Sequence, residues 1–489
     1  MTAGRSNIGD SPSVAHQGLT LIRLGTVRRR RAPAGRGTAG GTELLNLLNL
    51  QAELSAARPV CRIGRVVRAG EGTVTVRFPD GAARIGDRVT LAGRGARLAG
   101  EVVALGPDGA AVLTDARTDG VALGDAAELG APDAVCPDSG WLGRLIDPDG
   151  QPLDGRPLLR GPVARPLRAA PPPPALRRRL GRRLETGLAV FDTFLPLARG
   201  QRIGLFAAPG VGKSSLLADL ARGVEADCVV VALAGERGRE VRAFVEDGLG
   251  PAGRARSVVV AATSDRPARL RRRAALTATA IAEHFRDAGL HVLLLVDSVT
   301  RFADAHRDVA LAAGEAAALR GYPASLAQEV MALCERAGPG AEGPAAGGAG
   351  GSQGDITAIY TVLAPGGDLD GPVPDLLRGT LDGHVILDRA IAERGRFPAV
   401  DLLRSLSRSL PGVASEAENA LLAEARALLG AHASAELMIQ AGLYAPGSDP
   451  LTDRAIRLWP RLDAFAGGRG HGSAAAAFAA LAAILAETG

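Results

Sequence analysis

Residues 202–221 read Arg202-Ile-Gly-Leu-Phe-Ala-Ala-Pro-Gly-Val-Gly-Lys-Ser-Ser-Leu-Leu-Ala-Asp-Leu-Ala221: an apolar run of strand length, a glycine loop and the start of a helical pattern. That order is the context a phosphate-binding P-loop requires. The segment Ala207-Ala208-Pro209-Gly210-Val211-Gly212-Lys213-Ser214-Ser215 is therefore the candidate ATP-binding loop. Gly210 and Gly212 would let backbone N–H groups curl around a β-phosphate, aided by the positive end of the helix dipole. Lys213 would neutralise the β- and γ-phosphates, and the Ser214 hydroxyl would meet Mg2+. Ala207 stands where the strict motif has Gly, so only the relaxed form is matched. The competing reading is a glycine-rich turn without a ligand. Against it, the chain's 57 basic residues include a single lysine, and that lysine is Lys213. A compact ammonium serves where a phosphate must be met by a point charge.

Beyond the loop, apolar runs at Cys228 to Ala234, Ser257 to Ala262 and His291 to Asp297 alternate with helical stretches. Strand and helix in alternation predict an α/β fold with a parallel sheet covered on both faces. Ligands of such sheets sit at the carboxyl ends of the strands, which places Asp297 to hold Mg2+ through water. The strand from Cys228 ends in Gly235-Glu-Arg-Gly-Arg-Glu240. Glu236 is the candidate base for polarising water, with Glu240 as a second carboxylate; an ordinary surface ion pair to Arg237 or Arg239 fits these residues equally well.

Upstream, segments such as Thr73-Val-Thr-Val-Arg-Phe78 alternate and are separated by turn residues, which predicts a small β-barrel over 59–131. The core would run over 132–410, and the alanine-rich remainder, 411–489, reads as a helical C-terminal domain. Residues 1–41 read as a flexible basic extension or a start site set too early. Thr42 to Leu54 has the spacing of an amphipathic helix, either for a partner or for packing on its own domain. The stretch Pro162 to Arg183 holds Pro171 to Pro174 and seven arginines; a solvated, extended connector is favoured over contact with anionic lipid or RNA.

Composition narrows the function classes. With 489 residues, 46% hydrophobic and 22% charged, the chain is long enough for about three domains and too apolar to be wholly disordered. A net charge of +5 with two Trp, three Tyr and ten Phe gives no footprint for nucleic acid. Cys61, Cys136, Cys228 and Cys334 form no C-x-x-C pair, which argues for a reducing compartment. No apolar run is long enough to span a bilayer, and no signal peptide is read, so a cytoplasmic location is expected.

Four segments in this order resemble the catalytic core shared by rotary ATP synthase β subunits and type III secretion ATPases: Phe206-Ala-Ala-Pro-Gly-Val-Gly-Lys-Ser, Ala234-Gly-Glu-Arg-Gly-Arg-Glu-Val, Leu294-Leu-Val-Asp-Ser-Val-Thr-Arg-Phe-Ala and Gly321-Tyr-Pro. Gln440-Ala-Gly-Leu-Tyr-Ala-Pro-Gly-Ser-Asp and Asp453-Arg-Ala-Ile resemble the flagellar and injectisome export ATPases in particular, with the flagellar branch favoured. The resemblance implies a RecA-like core, a preceding barrel, a helical C-terminal domain and Mg-dependent ATP hydrolysis that drives protein export. It implies catalytic roles for Glu236, Lys213 and Arg237, and an arginine finger, Arg408, reaching into a neighbouring subunit of a homohexamer. Phe397 matches an adenine-stacking aromatic, with core packing as the alternative. By the same resemblance the partners are a stator-like negative regulator, a central stalk, an export gate and chaperone-substrate complexes. The place of work would be peripheral at the inner membrane.

Three departures from the family's pattern stand out. Ala208-Pro209 replaces the usual Gly-Ser, Ala316 to Arg320 lacks the paired prolines before Gly321-Tyr322-Pro323, and the loop up to Gly354 is enlarged. The last two fall where the family lines its central channel. Two other functions fit these residues less well. A non-catalytic nucleotide-binding subunit would lack Glu236, and an RNA translocase would need aromatics where the barrel region has Phe78 alone before Trp141.

Overall fold

The computed structural model describes residues 61–92, 97–130, 133–342, 352–364 and 370–487. The expected N-terminal extension and amphipathic helix, and most of the enlarged loop before Gly354, lie outside the described residues.

Six strands close a barrel: β1 (Arg62–Gly70), β2 (Thr73–Arg77), β3 (Arg88–Ala92), β4 (Arg97–Gly106), β5 (Gly109–Thr114) and β6 (Ala126–Leu129). Their order around it is β1-β2-β5-β4-β3-β6. Alternation turns Val66, Val74, Val76, Val89, Leu91, Val102 and Val112 into one core.

The core sheet contains β7 (Arg144–Ile146), β8 (Arg202–Ala207), β9 (Cys228–Glu236), β10 (Ser257–Thr263), β11 (His291–Asp297), β12 (Asp355–Leu363), β13 (Gly383–Leu387) and β14 (Leu406–Ser407). The spatial order is β14-β13-β8-β12-β11-β9-β10-β7, and these neighbours run parallel except for the edge pair β13 and β14. Helices α1 (Lys213–Gly223), α2 (Gly238–Ala243), α3 (Ala268–Asp287), α4 (Val299–Ala312), α5 (Leu326–Glu335) and α6 (Pro372–Thr380) connect and cover the sheet. Strands buried on both faces explain the unbroken apolar runs that the sequence shows.

Helices α7 (Glu416–Gln440), α8 (Pro450–Ala466) and α9 (Ala474–Leu485) form the C-terminal part. A capping box starts α7: Ser415 Oγ accepts from the Glu418 N–H, and the Glu418 carboxylate accepts from the Ser415 N–H. The observed architecture is the expected fold class.

One expectation is refined. The arginine-rich stretch before residue 183 is extended and largely exposed, as a solvated connector is, but it is also tied along the core. Arg165 pairs with Asp287 at 2.6 Å, Arg177 with Glu335 at 3.0 Å, Arg178 with Asp355 at 2.6 Å and Arg183 with Glu418 at 2.9 Å. Leu167 and Leu184 are buried beneath it. Guanidinium forks suit such carboxylate pairing, while Arg168, Arg179 and Arg182 of the same stretch stay exposed. The barrel is joined to the core by the same means. Arg269, fully buried at the start of α3, grips Asp115 with two nitrogens, while Arg272 meets Glu101 at 3.0 Å and Arg88 of β3 meets Asp149 of the core at 2.5 Å.

Candidate active site

Strand β8 ends at Ala207 and α1 begins at Lys213, so the intervening loop turns at the carboxyl edge of the sheet. Gly210 and Gly212 have φ of 84° and 87°, left-handed values that a Cβ would strain. Gly212 caps α1 without a side-chain hydrogen bond, which leaves the first-turn N–H groups available to an anion. Beside this turn lies a cavity of about 510 Å3, lined by the loop together with Glu236, Arg237, Glu240, Ser264, Arg301 and Leu363.

Lys213 is the hub. Its Nζ contacts Asp297 Oδ1 and stands 3.4 Å from Glu236 Oε1. Both carboxylates end neighbouring strands, β11 and β9, and their side chains are largely buried. Thr361, fully buried on β12, donates its hydroxyl to Asp297 Oδ1 at 2.7 Å. The parallel register sets Val296 against Tyr360, which brings the next residues of the two strands side by side.

Burial raises the Glu236 carboxyl above the ordinary glutamate value; Lys213 opposes this, and the Asp297 charge and a hydrogen bond to Glu240 add to it. Glu240 moves the other way, mainly through that hydrogen bond and next to Arg237 and Arg239. Arg237 pairs with Glu240 at 3.5 Å and is 69% exposed at the cleft mouth. Glu236 therefore makes no surface ion pair with Arg237; its cationic partner is Lys213.

Ser214 and Ser215 are exposed on the first turn of α1. Among the described residues no cluster of three or more His, Cys, Asp or Glu could hold a metal ion. A hydroxyl and one carboxylate, Ser214 and Asp297, nevertheless fit Mg2+, which keeps several waters and is bound through one or two protein groups together with substrate phosphates. Phe397 is 47% exposed, so core packing does not explain it. Its ring carbons lie 3.2 Å from where a side chain at Gly212 would begin, over the loop. Arg408 is exposed beyond β14, at the far edge of the sheet, and does not line the cleft of its own chain.

Thr361, Ser264 and Arg301 are the site residues that the sequence reading did not single out. Thr361 is one hydroxyl within an apolar strand, and only the register with β11 marks it. Arg301 lies in the first turn of α4, where its N–H donates to the Ser298 cap and its aliphatic stem packs 3.4 Å from the position of a side chain at Gly235.

No helix among the described residues is long and apolar enough to cross a membrane. The family described as ATP synthase alpha/beta family, nucleotide-binding domain, matches residues 187–407, and the T3SS EscN ATPase C-terminal domain matches residues 414–481. The flagellum-specific ATP synthase of Caulobacter vibrioides is 44% identical over 420 residues, which covers 85% of this chain and 94% of that protein. That of Salmonella typhimurium is 47% identical and covers 66% of this chain and 69% of its own length. The type 3 secretion system ATPase of Sinorhizobium fredii is 42% identical over 80% of this chain and 85% of its own. Among solved structures, the assembled ATPase EscN from the enteropathogenic E. coli type III secretion system superposes with a TM-score of 0.79 at 37% identity, covering 86% of this chain and all of that one. EscN in complex with its central stalk EscO gives a TM-score of 0.76 at the same identity and coverage. A P-loop with a buried lysine between two carboxylates, carried on this fold, agrees with those similarities: the chain is an ATPase and belongs to the flagellum-specific ATP synthases, within the ATP synthase alpha/beta family.

Proposed function

We propose that the chain hydrolyses ATP to energise type III export of flagellar proteins, releasing chaperones and unfolding substrates at the export gate. The hydrolytic half is carried by one observation, the convergence of Lys213, Glu236 and Asp297 beside an open P-loop. The export half rests on the C-terminal match at 414–481 and on the flagellum-specific relatives. The likeness to type 3 secretion ATPases, in sequence and in the EscN fold, keeps an injectisome as the second reading.

In this reading Lys213 leaves its carboxylate partners for the β- and γ-phosphates, and the N–H groups of the loop and of α1 hold the phosphate chain. Mg2+ would supply neutralisation of phosphate charge, and the Ser214 hydroxyl and the Asp297 carboxylate would hold it. Glu236, in its ionised form, accepts a proton from the attacking water. Arg237 contacts the γ-phosphate, and the Phe397 ring offers an apolar face to adenine.

Arg408 does not line its own cleft, which supports a finger acting in trans and hence a ring, in this family a homohexamer. Leu406, 45% exposed and two residues before Arg408 in an extended segment, presents an apolar contact on the same side. The EscN–EscO complex supports a central stalk partner. A negative regulator, an export gate, chaperoned substrates and a peripheral place at the inner membrane complete the proposal.

The test is made in the host. Glu236→Gln is introduced, and flagellin in the medium and swimming in soft agar are scored. Loss of both supports ATP-driven flagellar export. Normal swimming turns the assignment to the injectisome reading, which a survey of the remaining secreted proteins then checks.

A further inference from the structure

Arg408 is exposed between two anchored neighbours, with a guanidinium nitrogen 3.4 Å from the Arg378 carbonyl oxygen. Ser407 and Ser409 are buried, and Arg408 between them is exposed. Ser407 Oγ lies 2.7 Å and Ser409 Oγ 3.0 Å from the carbonyl oxygen of Pro196, and the two hydroxyls are 2.9 Å apart. On the opposite side stands Gln201, fully buried, with its whole amide used. Its Nε2 donates to Ser407 Oγ and to the Asp382 carbonyl, both at 2.9 Å, and its Oε1 accepts from the Ala198 N–H at 2.8 Å.

The Asp382 carbonyl has a second donor, the backbone N–H of Arg408 at 3.0 Å. One oxygen thus joins the Gln201 amide to the main chain of Arg408. The Asp382 carboxylate adds a further tie by accepting from the Arg202 N–H at 3.0 Å. The backbone of 406–408 is also pressed against Gly383, where φ is 145° and a side chain would begin 2.5 Å from the Leu406 carbonyl oxygen and 3.4 Å from Arg408 N. Gln201 directly precedes β8, the strand that ends in the P-loop. The backbone of Arg408 and the P-loop are therefore held at the two ends of one strand.

We propose that Gln201 is a positioning residue for Arg408: through Ser407 and Asp382 it fixes the finger's backbone to the strand that carries the same subunit's P-loop, so the finger offered to the neighbouring site is set by the donor's own sheet. This rests on the reading of Arg408 as a finger acting in trans. The plainer role for Gln201 is closure of the turn 198–201, where its N–H also donates to the Ala198 carbonyl at 2.9 Å. A turn-closing residue has no reason to affect one subunit's site and spare the other's.

The full-length chain is assayed for ATP turnover and for binding of a fluorescent ATP analogue. Gln201→Met removes the amide at similar volume. Turnover falls about 100-fold, the effect of a reacting group misplaced by roughly 1 Å, with affinity for the analogue within about twofold. The deciding readout is subunit mixing before nucleotide is added. Lys213→Ala chains have a finger and no site; Arg408→Ala chains have a site and no finger. Mixing those two restores turnover if the finger acts in trans, and failure there strikes the reading of Arg408 itself. With that control positive, Gln201→Met regains turnover when mixed with Lys213→Ala and not with Arg408→Ala. Any other pattern overturns the proposal: rescue by Arg408→Ala places the damage in the variant's own nucleotide site, and rescue by neither reduces Gln201 to fold support. Ser409→Ala, a smaller change, shows the same pattern with a smaller loss and serves if Gln201→Met does not assemble. Normal turnover in both variants also overturns it.

Discussion

The ammonium of Lys213 stands 3.4 Å from the Glu236 carboxylate, so the one lysine of the chain balances the group proposed as the base. Its transfer to phosphate removes the cation that holds down the Glu236 pKa, while burial and the Asp297 charge continue to raise it. Arrival of substrate charge thereby makes Glu236 a stronger base.

Lys213→Ala abolishes Mg-ATP hydrolysis and leaves the fold intact. Turnover together with circular dichroism checks this, and full activity in that variant refutes the assignment of the P-loop.

The pH profile follows from Glu236. A base acts ionised, and its pKa in the free chain lies above the ordinary glutamate value, so kcat/KM falls as pH decreases through that raised value. An acid limb at the ordinary glutamate position contradicts the buried setting of Glu236. Glu236→Gln removes turnover and keeps nucleotide binding.

Arg408→Ala leaves binding of nucleotide largely unchanged. Turnover falls by about 1,000-fold or more, the usual effect of losing a trans-acting arginine, and the dependence of specific activity on protein concentration disappears. Normal turnover in this variant removes the case for an obligatory ring.

The site was legible where one local segment carries it. The loop 207–215, the carboxylate ending His291 to Asp297 and the Gly235-Glu-Arg run each announce themselves by residue type next to a strand. Thr361 did not, because a lone hydroxyl in an apolar strand acquires a role only from the strand beside it. Strand order is likewise absent from local pattern: β12 lies between β8 and β11 although it follows them by many residues. The anchoring of the arginine-rich stretch was not legible for a related reason. Its partners Asp287 and Glu418 lie 122 and 235 residues away from Arg165 and Arg183, and a local charge run does not reveal distant carboxylates.

His291 makes stability fall in acid. Burial, reinforced by the Arg199 guanidinium, lowers its pKa to about 4, and Nε2 lies 2.8 Å from Thr357 Oγ1. Between about 6.5 and about 4 the unfolded chain binds a proton that the folded chain refuses. Stability from this group is full above that window and declines as pH falls through it, by about 3 kcal/mol in all. His291→Gln flattens the difference, and urea melts of the two proteins across this range measure it.

Arg336 and Glu283 form a buried, two-pronged pair at 2.9 and 2.6 Å. Arg336→Met strands the carboxylate and costs about 3–5 kcal/mol. Adding Glu283→Leu recovers much of that loss, as thermal melts show; a lack of recovery means that the Arg336 bond to the Leu167 carbonyl, at 2.5 Å, dominates.

Because Lys213 is the only lysine, the nucleotide site carries its own spectroscopic and chemical address. Isotope-enriched lysine fed to cells gives one side-chain signal, which reports directly on whether Nζ faces carboxylates or phosphate. A lysine-specific protease has a single sequence to cut, at the first residue of α1, so digestion of the unfolded chain yields two fragments and folded protein is cut only as fast as that helix opens.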